Sequence, residues 1–289
     1  MADVNEMVGG YRLRSLLQTG QTSQVFEVVE PHSNRHFAMK LLLPEAAEKS
    51  EHRRTLLNEA EIGVKLTHQN VIRIYKVNRS PQTPHFIMEY FPSGGLRLRL
   101  QAKDTAFLKE HARKIFKETA TGLAYMNAMG YIHCDVKPDN ILVNAIGETK
   151  IIDFAISKRI PTGFAKWFYR RPKSQGTPSF MSPEQISGDM PAPQQDIYSY
   201  GCTLFELTTG RPPFRGTSSN DLLGRHFKEK PAPPSAYNSD VTDEFSEFVL
   251  KLLAKRPKER PATFHEVLIS MKKVKQIFKS VVEKHDEEM

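Results

Sequence analysis

His133-Cys134-Asp135-Val136-Lys137-Pro138-Asp139-Asn140 places a carboxylate, an amine and an amide in one short turn between a helical run and a strand. Farther along, Ile151-Ile152-Asp153-Phe154-Ala155 ends an apolar strand on a second carboxylate. Phosphoryl transfer needs such a set. One Asp orients a hydroxyl and accepts its proton, a Lys stabilises the transferring phosphoryl group, and an Asn and an Asp hold Mg2+ on nucleotide phosphates.

Outward from that core, the chain divides by composition. Tyr11–Leu17 and Val25–Val29 are β-rich runs around a polar turn and predict a hairpin. His36–Leu43 is a further strand, stopped by Pro44. Glu51–Leu66 predicts a helix, with Leu56, Leu57, Ala60 and Val64 on its apolar stripe. Val71–Val77 and His85–Tyr90 predict strands, and Pro92-Ser93-Gly94-Gly95 is the strongest break. Beyond it the pattern is mainly helical: Leu108–Met129, Ile197–Thr209, Glu244–Ala254 and Phe264–Lys279, with short strands at Ile141–Val143 and Lys150–Ile152. The expected organisation is an extension over 1–10, a β-rich lobe over 11–91, a helical lobe over 92–279 and a charged tail over 280–289.

The 289 residues carry 41 Lys+Arg against 33 Asp+Glu, a net charge of +8. Composition is 39% apolar and 26% charged, which excludes wholesale disorder and fibrous repeats. No apolar run approaches a membrane span, the first residues lack a secretory h-region, and position 2 is not the glycine that myristoylation needs. Cys134 and Cys202 provide neither a disulfide framework nor zinc spacing, so a reducing, cytoplasmic setting is expected.

The strings together resemble the protein-kinase superfamily, over about Tyr11 to Ser270. HCDVKPDN is similar to the catalytic loop HRDLKPEN, and DFA to DFG. Phe37-Ala38-Met39-Lys40 is similar to the VAIK strand, and Glu59 falls where the family's helix glutamate pairs with that lysine. GTPSFMSPE over 176–184 is similar to GTPxYMAPE, Asp196 opens a helix as in DxWSxG, and Arg260 falls where a late arginine pairs with Glu184. The resemblance implies a bilobal α+β kinase fold, a small β-rich lobe with one main helix and a larger helical lobe. It implies ATP with Mg2+, or Mn2+ in its place. Asp135 and Lys137 would be catalytic, and Asn140 and Asp153 would bind metal. Leu17, Gln18, Gly20, Ser23 and Val25 would line the phosphate turn. Ala38, Lys40, Glu59, Met88, Glu89, Phe91 and Leu142 would complete the nucleotide site. Thr177, Glu184, Asp196 and Arg260 would dock substrate or hold the fold. Lys137 together with Gly176-Thr177-Pro178 resembles the Ser/Thr branch, and the late sequence resembles bacterial Hanks-type kinases, which often continue into a transmembrane anchor.

Four departures qualify the resemblance. Cys134 replaces the arginine that pairs with an activation-loop phosphate, which implies activity without that phosphorylation; ordinary packing is favoured over a redox role for its thiol. Ala155 replaces the DFG glycine, at a cost of about 1–2 kcal/mol if φ there must be positive. Gln18 and Ser23 replace two loop glycines. Gly63 stands where a large apolar side chain is expected against Phe154, so either helix mobility or compensation by Ile62 or Ile74 is expected.

The implied function is a Ser/Thr protein kinase; the alternative is a pseudokinase serving as a nucleotide-binding or scaffolding module. The partner is a protein substrate. Lys158, Arg159, Lys166, Arg170, Arg171 and Lys173, interleaved with Phe164, Trp167, Phe168 and Tyr169, would suit an acidic peptide, or form a self-packed loop. Nucleic acid is disfavoured. The segment is expected to be partly ordered without nucleotide, with Trp167 reporting its movement.

Overall fold

Alternation of buried and exposed residues builds the first lobe. The computed structural model describes residues 6–92, 94–163, 169 and 175–279. Strands β1 (Met7–Val8), β2 (Tyr11–Thr19), β3 (Ser23–Glu30) and β4 (Arg35–Leu42) follow one another as antiparallel neighbours. In β2, Tyr11 and Leu13 are buried while Arg12 and Arg14 are exposed, the period of two of a half-buried strand. The short helix α1 (Pro44–Ala47) begins on Pro44, whose missing N–H is harmless in a first turn. Helix α2 (Ser50–Val64) then leads to β5 (Ile74–Asn78) and β6 (His85–Glu89), completing a six-stranded sheet in the order β1-β2-β3-β4-β6-β5.

The buried face of α2 differs from the expected stripe. Leu56, Glu59, Ala60, Ile62 and Gly63 are buried, whereas Val64 is 48% exposed. The cleft-facing stripe takes a carboxylate because a lysine of β4 stands opposite it. The strand expected from Val71 begins at Ile74; Val71 instead makes isolated bridges to His68 and Ile151.

The second lobe contains β7 (Gly94–Gly95), α3 (Leu96–Gln101), α4 (Thr105–Ala128), β8 (Tyr131–Ile132), β9 (Ile141–Val143), β10 (Thr149–Ile151) and β11 (Lys158–Arg159). It continues with α5 (Pro183–Ile186), α6 (Pro193–Thr209), α7 (Ser219–Lys228), α8 (Asp243–Leu252) and α9 (Phe264–Lys273). Helix α6 is its axis. Every residue from Gln195 to Thr208 is buried, and Gly210, at φ +72°, closes the helix in the left-handed conformation. One apolar core links the lobes, joining Leu56, Ala60 and Ile74 to Phe154, Ile115 and Phe205. A smaller core, including Leu13, Phe26 and Met39, stays within the sheet.

Helices α3 and α7 carry no sequence expectation. Leu96-Arg97-Leu98-Arg99-Leu100 alternates like a strand, and α7 has Gly224 inside it, although Ser218 caps it by accepting the Asp221 N–H at 3.1 Å. Helix α9 stops at Lys273 rather than Lys279. The following segment is extended and tethered: the Thr242 N–H donates to Ile277 O at 3.0 Å, and Arg113 donates to Val274 O at 2.9 Å. Lys275 and Lys279 therefore lie outside the helix. Of the basic aromatic segment, Lys158 and Arg159 pair with β8, and the Tyr169 hydroxyl donates to Asp189 O at 3.2 Å. Phe164, Lys166, Trp167, Phe168, Arg170, Arg171 and Lys173 lie outside the described residues.

Candidate active site

Strand β4 alternates so that Ala38 and Lys40 share one face of the sheet. Lys40 Nζ donates to both Glu59 carboxylate oxygens, at 2.8 and 2.7 Å, and stands 3.6 Å from Asp153 Oδ1. Burial pushes the Glu59 carboxyl up to about 7, against the opposing pull of Lys40. Burial would lower the Lys40 ammonium, but Glu59 and Asp153 outweigh it and hold Lys40 above its ordinary value. Burial would likewise raise Asp153, yet Lys40 and the Ala155 N–H hold its carboxyl below its ordinary value. The cluster therefore presents an ammonium and an ionised carboxylate side by side.

The turn after β8 is held by Asp196, at the start of α6. The His133 and Cys134 N–H groups donate to its two oxygens at 2.7 and 2.8 Å. Cys134 and Asp153 both have φ +67°, a left-handed conformation that disfavours side chains. Ala155 is not among the positive-φ residues, so its Cβ carries no such penalty. The strain expected at Ala155 sits at Asp153 instead. Cys134 is 3% exposed, and burial pushes its thiol up, which suits packing rather than redox chemistry.

Asp135 collects three partners. Lys137 Nζ lies 2.7 Å from Oδ2, Asn140 Nδ2 donates to Oδ2 at 3.0 Å, and the Thr177 hydroxyl donates to Oδ1 at 2.9 Å. Lys137 also donates to Thr177 Oγ1 at 2.7 Å. His133 accepts the Asp135 N–H on Nδ1 at 3.2 Å and reaches Ile152 O from Nε2 at 2.9 Å, which assigns its proton to Nε2. Its ring stands edge-on to Phe154, with centroids 6.0 Å apart. Beyond Phe154, Ile74 fills the space left by Gly63: a Cβ there would lie 2.3 Å from Ile74 Cδ1 and 3.1 Å from Phe154 Cδ2. Compensation by Ile74 accounts for the glycine.

The remaining nucleotide-site positions surround this cluster. Val25 pairs with Lys40 and Gln18 across the sheet, Ala38 pairs with Met88, and Leu142 lies on β9. Val25, Met88 and Leu142 are half-buried, Ala38 is buried, and Leu17 is 47% exposed. The Gly20 N–H closes the β2–β3 turn on Ser23 O at 2.8 Å, so that amide is committed within the hairpin. Glu89 pairs with Lys150 at 2.7 Å, and Phe91 packs against the core with the Lys150 ammonium 6.0 Å from its ring. Away from the cleft, Arg260 grips Glu184 with two bonds, at 2.6 and 3.0 Å, and its side chain is fully buried.

The protein kinase domain family matches residues 11–274. The chain belongs to this family. The kinase domain is 32% identical over 263 residues to the serine/threonine-protein kinase PknB of Mycolicibacterium smegmatis, covering 89% of this chain and 41% of that protein. It is 30% identical over 269 residues to PknB of Mycobacterium tuberculosis, covering 91% and 42%. It is 31% identical over 290 residues to a "Probable serine/threonine-protein kinase" of Corynebacterium efficiens, covering 96% and 44%. The chain thus spans less than half the length of these curated relatives.

The family implies ATP and a divalent cation, and the residues fit them. Asn140 uses its amide nitrogen on Asp135, which leaves Oδ1 as the oxygen donor for a cation, and the Asp153 carboxylate is held ionised. Two hard oxygen donors leave the other positions of a Mg2+ shell to phosphates and water. Among the described residues no group of three His, Cys, Asp or Glu could hold a metal by itself.

Three contributors escape the sequence reading. Arg97 of α3 joins Asp139 at 3.0 Å and Glu206 at 2.8 Å, tying the catalytic turn to α6. Lys150 anchors Glu89. Gln185 reaches two backbone carbonyls. The partners of Arg97 and Lys150 are remote in sequence, as is Cys134 from Gln185, and carbonyl partners leave no trace in side-chain motifs.

Proposed function

We propose that the protein transfers the γ-phosphoryl group of ATP to Ser/Thr hydroxyls of protein substrates, and that it does so without activation-loop phosphorylation. The observation that carries this is the closed Lys40–Glu59 pair together with an Asp135 already held by Lys137, Asn140 and Thr177. Cys134, buried and uncharged, gives a loop phosphate no partner at that position.

Lys40 would bind the nucleotide phosphates, and Asn140 and Asp153 would hold Mg2+, or Mn2+ in its place. The bound cation supplies charge neutralisation on the phosphate oxygens. Asp135 orients the substrate hydroxyl and receives its proton as the hydroxyl oxygen bonds to the γ-phosphorus and the β–γ bridging P–O bond breaks, releasing ADP. Lys137 offsets charge on the transferring group. Leu17, Val25, Ala38, Met88 and Leu142 would enclose adenine, with Glu89 and Phe91 offering backbone, and Gln18, Gly20 and Ser23 would cover the phosphates. The basic character of Lys158 and Arg159 favours substrates acidic near the acceptor. Both cysteines are free thiols, which supports a reducing, cytoplasmic setting. Among the described residues no helix is long and apolar enough to cross a membrane.

The test is transfer from radiolabelled ATP with Mg2+ to dephosphorylated casein, using protein treated with a broad phosphatase and confirmed by intact mass. Activity is expected to persist within tenfold of the untreated protein and to vanish in Asp135→Asn. Nucleotide binding without turnover would favour the scaffolding alternative.

A further inference from the structure

Gln185 sits in the short helix α5, directly after Glu184, and is 5% exposed. Its side-chain Nε2 donates to Cys134 O and to Gln175 O, both at 2.7 Å. One carbonyl belongs to the catalytic turn immediately before Asp135. The other lies in the activation segment, two residues before Thr177. One amide nitrogen therefore bridges the two segments whose side chains meet at the Asp135–Thr177 hydrogen bond.

Two further features are arranged around this contact. Gly176 has φ +134°, and a Cβ there would come within 2.9 Å of Gln185 Nε2 and 3.4 Å of Cys134 O, so only glycine lets the amide approach at this point. The left-handed Cys134 is held through its N–H by Asp196 Oδ1 at 2.8 Å while its carbonyl faces Gln185. An amide has two N–H donors on one nitrogen, which is the chemistry that two facing carbonyls require.

We infer that Gln185 is a positioning residue, a neutral latch that keeps the activation segment docked on the catalytic turn without a phosphate. This rests on reading the site as a phosphorylation-independent kinase. The docking that an Arg–phosphate pair would provide is supplied by two neutral hydrogen bonds, which need no upstream modification. Neither of these hydrogen bonds reaches Lys40, Glu59 or Glu89, so Gln185 acts on alignment of the acceptor and not on nucleotide binding.

The test uses the full chain, dephosphorylated, as wild type, Gln185→Leu and Gln185→Glu. The glutamate keeps the size of the side chain and removes its N–H donors, which separates donation from packing. In both variants kcat on casein is expected to fall at least tenfold, with KM for casein changing less than kcat. Calorimetric affinity for a non-hydrolysable ATP analogue with Mg2+ should stay within twofold of wild type. Variants that bind the analogue normally and keep more than a third of wild-type kcat would overturn the latch while leaving the kinase reading intact. An inactive wild type would instead sink that reading. If the wild type is inactive, or if the variants do not fold, selective 15N-glutamine labelling of wild type decides the latch. Both Gln185 Nε2 protons should be protected from solvent exchange, and exchange at the rate of a free amide would refute it.

Discussion

Lys40–Glu59 and Arg260–Glu184 are both ion pairs with little exposure, yet they do opposite work. Arg260 is saturated: besides Glu184 it donates to Ala254 O, Gln194 O and Lys255 O, and its guanidinium lies 4.7 Å from the Tyr198 ring centroid. Nothing is left for a ligand, and the pair locks the end of the activation segment onto the helical lobe. Lys40 faces a cleft, with Asp153 only 3.6 Å away and 39% exposed. Its charge is available to an anion arriving there. A buried pair is structural when its donors are exhausted and functional when one partner still faces an opening.

Breaking the open pair should give the largest effect. Lys40→Met is expected to lower kcat/KM by about 10^3-fold, ~4 kcal/mol of transition-state stabilisation. Its thermal midpoint should stay close to wild type, because Glu59 can take up a proton once the ammonium is gone. Steady-state kinetics beside calorimetric melting checks both halves. Arg260→Ala should do the reverse, costing about 3 kcal/mol of stability because a carboxylate and three carbonyls lose their buried partner. Denaturant titration would measure it, and a loss below 1 kcal/mol would contradict the contrast.

The two pairs should also differ in pH response. Glu59 titrates at about 7 in the fold, above its ordinary value of 4.5, so the folded protein holds that proton more tightly than the unfolded chain. The associated stabilisation is fully present below about 4.5 and is lost as pH rises through about 7. Wild type should therefore lose about 2 kcal/mol between pH 5 and pH 8 that Glu59→Gln does not. Denaturant melts of both proteins at the two pH values provide the comparison, and parallel curves would refute it.

The smallest effect probes the packing behind the open pair. Gly63→Ala gains helix propensity of about 1 kcal/mol but drives a methyl into Ile74, so a net loss of ~1 kcal/mol is expected. Adding Ile74→Val removes the nearest atom and should recover about half of that loss. A stabilised Gly63→Ala single mutant would show that the space is not filled by Ile74.

Hairpin, central helices and catalytic strings were legible in the sequence because each is a local pattern. Helix α3 was not, because five alternating Leu and Arg residues satisfy the strand period as well as a short helix. The expected end of α9 failed for a related reason: Lys275 and Lys279 continue a helical composition, but the Asp240 and Thr242 region captures the chain in extended form. Ala155 shows the limit most clearly. Its identity suggested strain, yet backbone torsion is set by what the neighbouring side chains grip, and Asp153 carries the left-handed angle instead.

The sequence by itself determined which chemical groups are present and their order along the chain: Lys40, Glu59, Asp135, Lys137, Asn140 and Asp153. It did so because a reacting group must be a particular residue type. The tertiary structure alone decided what holds those groups in place. Gln185 meets Cys134 O across 51 positions, and Arg97 meets Glu206 across 109. Any residue offers a carbonyl, and a surface arginine can face many carboxylates. Only the packed fold selects the ones that come within bonding distance.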